Sequence, residues 1–185
     1  IANNPPIVLM IRHPLQVVSS WKKLGWGKES LGTRSDFDII TSQEALIEDF
    51  PVVGEVMQDI DRTDLIQNVV FQWCIYHLVP AKQLKKQDAY ALYYENLIAD
   101  ADNEIAKLFN YLDKPFDKEL LKSRMDKTSS TNFQKRNFSR DNTVNSWKGE
   151  FSPEQIETTN HIVSAFGLDD LYDSDGFPTG TPLLK

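Results

Sequence analysis

The chain has 185 residues, 41% of them hydrophobic and 25% charged, with a formal net charge of −7. That is the size and composition of one globular domain with room for a core, and the acidic balance argues against a general nucleic-acid binder, which carries a basic face. A single cysteine, Cys74, excludes an intrachain disulfide and suits a reducing compartment, so a cytoplasmic location is expected; no apolar stretch nears the ~20 residues of a membrane span.

Residues 6–12, Pro-Ile-Val-Leu-Met-Ile-Arg, form an apolar run closed by a charge, the pattern of a strand buried on both faces in a parallel sheet. Pro14 suits the first turn of a helix, where its missing N–H costs nothing. Val17, Val18, Trp21 and Leu24 follow at helical spacing, and Gly25 is the stop. Residues 25–40 are polar and glycine-bearing and read as a loop. Thr41 with Glu44 predicts a capping box opening a helix that Pro51 kinks or ends. From about Asp61 to Lys86 a longer helix runs through Leu65, Val69, Trp73, Tyr76 and Leu84, with Pro80 as a kink. Cys74 lies in its apolar run and reads as core.

Ala89 to Tyr94 is a second short strand, 97–112 an amphipathic helix and 117–124 a short helix. Residues 126–146 have no apolar period, and a loop of that length is usually functional or disordered. Ser152, Pro153 and Gln155 supply a cap, a first-turn proline and a capping-box partner for a last helix. The tail from Asp173 is irregular. Two strands are too few for a stable sheet flanked by so many helices. Further strands are therefore expected outside this sequence, with a neighbour on each side of the first strand.

Arg12 stands where a parallel strand meets the next helix, the crevice in which open α/β sheets bind ligands. A guanidinium beside a helix N-terminus suits a phosphate, and Ser20, next to Ser19, can add a hydroxyl donor. The plain alternative is a surface ion pair and a solvated serine. Residues 126–148 carry Lys127, Lys135, Arg136, Arg140 and Lys148 and end in Asn145-Ser146-Trp147-Lys148. Such a loop suits a nucleotide phosphate, or is a solvated basic loop. His13 adjoins Arg12 and reads as a hydrogen-bonding turn residue; His77 and His161 lie in helices. No residues have zinc-ligand spacing, and no Walker-type or dinucleotide glycine motif occurs. Trp21, Trp26 and Phe37 are candidates to line an acceptor pocket, or to pack in the core.

Together these residues resemble the sulfotransferases that use 3′-phosphoadenosine-5′-phosphosulfate (PAPS). Arg12-His13-Pro14-Leu15-Gln16-Val17-Val18-Ser19-Ser20 resembles that family's 3′-phosphate segment: an arginine, any residue, a proline, and a serine eight positions after the arginine. Leu92-Tyr93-Tyr94-Glu95-Asn96-Leu97 is similar to its strand ending in Tyr-Glu-Asp-Leu. Leu112-Asp113-Lys114-Pro115-Phe116 is similar to the Leu-Gly-x-Pro-Phe that ends the next helix. Thr128-Ser129 resembles a pair near the adenine. Arg140, with Trp147-Lys148 and Phe151-Ser152 beyond, resembles the Arg-Lys-Gly loop and its Gly-Asp-Trp-Lys continuation. Departures are His13, where Asp or Asn is common, and Asp141-Asn142 in place of Lys-Gly.

The resemblance implies a three-layer, helix-rich, P-loop-NTPase-like α/β sulfotransferase fold with its parallel sheet only partly represented. Residues 1–185 would be the C-terminal portion of one sulfotransferase domain, without the N-terminal strand-loop-helix that holds the 5′-phosphosulfate. It implies that Arg12, Ser20 and Arg140 hold the 3′-phosphate and that Tyr94 and Ser129 contact adenine. The implied reaction moves a sulfuryl group from PAPS to a hydroxyl or amine of a small-molecule or carbohydrate acceptor, leaving 3′-phosphoadenosine-5′-phosphate (PAP). No metal is required, and the catalytic base is expected upstream of Ile1, so these residues alone are expected to be inactive. Two other readings stay open. One is a nucleoside or nucleotide kinase of the same fold; the other is a non-catalytic domain that keeps the nucleotide cleft as an interaction surface.

Overall fold

The structure, a computed structural model, describes residues 5–26, 36–86, 88–119 and 146–184. It is a helix-rich α/β arrangement in which two strands, β1 (Ile7–Ile11) and β2 (Ala89–Tyr93), pair in parallel with Ile7 opposite Ala89 and Ile11 opposite Tyr93. Parallel pairing needs a crossover. Here it is made by α1 (Pro14–Leu24), α2 (Asp36–Thr41), α3 (Glu44–Asp49), α4 (Pro51–Met57) and α5 (Leu65–Gln83). After β2 come α6 (Tyr94–Ala99), α7 (Ala101–Tyr111) and α8 (Pro153–Ala165), then a short 3₁₀ turn at Asp169–Leu171.

The core is built around α5. Its residues from Val69 to Ile75 are all buried, so it is apolar on every side rather than along one stripe, as befits a helix enclosed by others. It packs against α1 and α8, and Phe71 lies between Phe37 and Phe166. Asp64 caps it, accepting from the N–H groups of Ile66 and Gln67 at 2.8 and 2.9 Å. Cys74 is fully buried, and burial pushes its thiol well above the ordinary range. It is a packed residue, as its apolar neighbours predicted.

The helix ends follow local chemistry. Gly25 closes α1 at φ 71, with its N–H on the Lys22 carbonyl, that of Trp26 on the Trp21 carbonyl, and the two indoles in edge contact. Ser152 and Gln155 form the predicted reciprocal capping box of α8. The box predicted from Thr41 and Glu44 does not form. Burial of Phe37 and Ile40 makes a helix of 36–41 within the expected loop; Thr41 ends it, its hydroxyl donating to the Phe37 carbonyl. Pro51 opens a helix of its own, and the helix expected at 97–112 is two, broken where Asp100 turns to φ −144 and caps α7. Only the first residues of the helix expected at 117–124 are described.

β1 departs from the expectation of burial on both faces: Ile11 is buried, but Met10 is 54% exposed and Ile7 and Val8 more than a third exposed. Val8 and Met10 alternate onto one face of the strand, which is left open, and β2 is its one strand neighbour among the described residues.

Candidate functional site

The chain leaves the carboxyl end of β1 at Arg12, and His13 (φ −49, ψ 131) turns it into α1. Among the described residues no side chain caps that helix start, which leaves its first free N–H groups and the positive end of the helix dipole at the end of β1. β2 ends alongside, and its last residue leads into Tyr94, the first residue of α6. The parallel register sets Ile11 opposite Tyr93, which brings Arg12 beside Tyr94.

The two side chains meet. The Arg12 guanidinium carbon lies 4.4 Å from the centroid of the Tyr94 ring. One terminal nitrogen donates to Gln16 Oε1 at 2.9 Å, and Gln16 is itself buried. Arg12 Nε is buried and has no partner among the described residues. Ser20 is half-buried on α1, four residues beyond Gln16 and so on the same face of the helix. Of the sequence-predicted residues, Arg12 and Tyr94 thus meet at one end of the strand pair, while Ser20 lies on α1 one turn beyond Gln16. The other two, Ser129 and Arg140, lie outside the described residues, as does most of the basic loop. Lys148, from the end of that loop, pairs with Asp175 at 3.0 Å.

Behind Arg12 sits a group of residues that the sequence reading did not single out for the site. Glu95 is fully buried. Its Oε1 accepts from the His13 N–H at 2.9 Å and its Oε2 from the Tyr172 hydroxyl at 3.1 Å. Burial raises its carboxyl above the usual range, opposed by those hydrogen bonds and by the charge of Arg12. Burial also pushes the Tyr172 phenol far up. Trp73 Nε1 donates to the Arg12 carbonyl at 2.8 Å. The one available signal was the Tyr-Glu pair at the end of β2: a carboxylate following an apolar strand belongs either at a surface or on a buried donor.

His13 stacks on Trp147 with ring centroids 4.4 Å apart and meets Tyr172 edge-on at 5.0 Å. Its pKa falls to about 3, through burial first and then Lys148, with Asp173 opposing. The imidazole is thus neutral near neutral pH, and its buried Nδ1 has no partner among the described residues, so the hydrogen bond expected of its side chain does not form there. Of the aromatic candidates for an acceptor pocket, Phe37 is buried in the core against Phe71, whereas Trp26 is 55% exposed.

One residue before Ser20, Ser19 is buried and donates to Glu150 Oε2 at 2.6 Å, while Lys23 bridges both. This fastens the 146–150 segment onto α1. Two cavities, of about 710 and 420 Å³, border the C-terminal ends of α5 and α8, and neither is lined by Arg12, Ser20 or Tyr94. Among the described residues no group of side chains could hold a metal ion, and no helix is long and apolar enough to cross a membrane.

Residues 1–172 match the model of the sulfotransferase domain family. A solved structure, the sulfotransferase domain from the curacin biosynthetic pathway, superposes with a TM-score of 0.50 at 19% identity, over 88% of this chain and 53% of that one. At that identity the likeness speaks to the fold, and this chain spans about half the length of the solved one. No curated protein sequence is similar enough to count as a match.

Proposed function

The chain belongs to the sulfotransferase domain family, and on that premise we propose that it forms the nucleotide-holding part of an enzyme that takes the sulfuryl group from PAPS. The observation that carries this is the meeting of Arg12 and Tyr94 at the carboxyl ends of β1 and β2. The guanidinium rests on the aromatic face and keeps a buried Nε free of any partner among the described residues. A buried donor without an acceptor is costly, and a phosphate oxygen would satisfy it. Family membership also leaves the kinase reading without support.

In this reading Arg12 and Ser20, with Arg140 from the loop, hold the 3′-phosphate, while Tyr94 and Ser129 contact adenine. The uncapped start of α1 adds its dipole to the anion site. Transfer forms a bond from sulfur to the acceptor oxygen or nitrogen and breaks the bond from sulfur to the 5′-phosphate oxygen; the acceptor proton passes to a base. The likeness to phosphoryl transfer puts positioning and charge stabilisation ahead of covalent chemistry. The residues here supply positioning. The acceptor is a small molecule or carbohydrate, and the single cysteine fits work in the cytoplasm.

The test is turnover of labelled PAPS by the full-length protein and by residues 1–185 alone. Sulfuryl transfer by the former and none by the latter is expected. Binding of PAPS by neither would refute the reading.

A further inference from the structure

The peptide unit joining Arg12 to His13 is held at both ends. Its carbonyl oxygen accepts from Trp73 Nε1 at 2.8 Å, and its N–H donates to Glu95 Oε1 at 2.9 Å. The carboxylate that holds the N–H is held in turn by the Tyr172 hydroxyl at 3.1 Å. The three holding residues come from α5, α6 and the segment after the 3₁₀ turn, so parts of the chain far apart in sequence converge on a single peptide.

We propose that Trp73 and Glu95 are positioning residues that fix the plane of the Arg12–His13 peptide and so aim the Arg12 guanidinium at its anion, with Tyr172 fixing Glu95. The proposal rests on the reading of Arg12 as a 3′-phosphate ligand. Its physical ground is the lever arm of arginine. The peptide plane fixes ψ of Arg12, and a small rotation about that bond sweeps the distal guanidinium across the crevice. Packing alone does not account for Glu95. A wholly buried carboxylate is expensive unless each oxygen finds a donor, and an apolar residue would fill the space at less cost. Here one oxygen is spent on the amide beside Arg12. The rest of the site supplies little other restraint: among the described residues Arg12 has Gln16 and the Tyr94 face, and Nε has no partner.

The experiment uses the full-length protein with W73F, Y172F, E95A and E95Q. It combines calorimetric titration of PAP and adenosine-5′-phosphate with hydrogen–deuterium exchange over residues 12–16. W73F and Y172F each remove one hydrogen bond and should weaken PAP binding by roughly three- to tenfold while changing adenosine-5′-phosphate binding less than about twofold. Both should speed exchange at the His13 amide without nucleotide. E95Q should recover most of what E95A loses, because an amide can still accept from His13 and donate to the Tyr172 oxygen. A mere loss of stability would lower both affinities together, and would not be rescued by nucleotide selectivity. If wild type prefers PAP and the variants keep that preference in full, the proposal is wrong. If wild type does not distinguish the two nucleotides, the 3′-phosphate reading falls instead. The clamp is then judged by exchange alone, and unchanged exchange at His13 in W73F and Y172F overturns it.

Discussion

The guanidinium of Arg12 lies over the ring of Tyr94, 4.4 Å from its centroid, across the open end of the β1–β2 pair. The contact is a cation–π pair in a partly buried setting, worth about 1 kcal/mol, and it holds the cation without neutralising it. The aromatic face is what matters for Arg12. Tyr94→Phe should therefore leave the selectivity for PAP over adenosine-5′-phosphate intact, and Tyr94→Leu should lower it by about fivefold, measured by calorimetric titration. Equal effects of the two substitutions would show that the hydroxyl, and not the ring face, supports the site.

His13 predicts a dependence on pH. Its folded pKa of about 3 lies below the unfolded value of 6.5, so between those limits the unfolded chain binds the extra proton. Stability is fully present above about pH 6.5 and is lost as pH falls toward 3, with a limiting slope of about 1.4 kcal/mol per pH unit. His13→Phe keeps a ring against Trp147 and removes the titration. Denaturant melts at several pH values should show wild type losing stability relative to the variant over that window, and parallel curves would contradict a buried neutral imidazole.

Ser19, Lys23 and Glu150 differ in burial, and their contributions should differ with it. The Ser19 hydroxyl is enclosed and bonded to a carboxylate, whereas the Lys23–Glu150 pair has side chains 47% and 29% exposed. Ser19→Ala should cost about 1–2 kcal/mol, and Lys23→Ala less than about 1 kcal/mol, falling further with added salt. Urea unfolding at low and high ionic strength separates them.

Asp113 occupies a position made for glycine. It sits at φ 51 after α7, with its N–H on the Asn110 carbonyl, the Lys114 N–H on the Phe109 carbonyl, and Phe109 against Phe116. This is the same left-handed closure that Gly25 makes after α1. Asp113→Gly should raise stability by up to about 1 kcal/mol, the relieved strain outweighing the freer unfolded chain. A lower melting temperature for the variant would mean that the aspartate is not strained there.

Much of this was legible from local rules. The apolar run before Arg12, Pro14 at the first turn, Gly25 at the stop and the Ser152–Gln155 box each act over a few residues, and the structure forms all of them. Arg12 and Tyr94 were both named from the sequence, although 82 positions separate them. What brings them together is the parallel register, which no local pattern encodes. The misreadings have the same cause. Thr41 has the chemistry of a cap, but burial of Phe37 and Ile40 extends a helix up to it. Glu95 and Trp73 were not singled out for the site, because their partner, the peptide after Arg12, is defined only by the fold.

The central claim is that Arg12 binds the 3′-phosphate, and calorimetric titration of PAP and adenosine-5′-phosphate against full-length wild type and Arg12→Ala tests it most directly. A charge-assisted hydrogen bond contributes about 1.5–3 kcal/mol, so the substitution should weaken PAP binding by roughly ten- to a hundredfold. Adenosine-5′-phosphate, which lacks the group being held, should lose far less. Equal losses for the two nucleotides would contradict the assignment and leave Arg12 a residue of the fold alone.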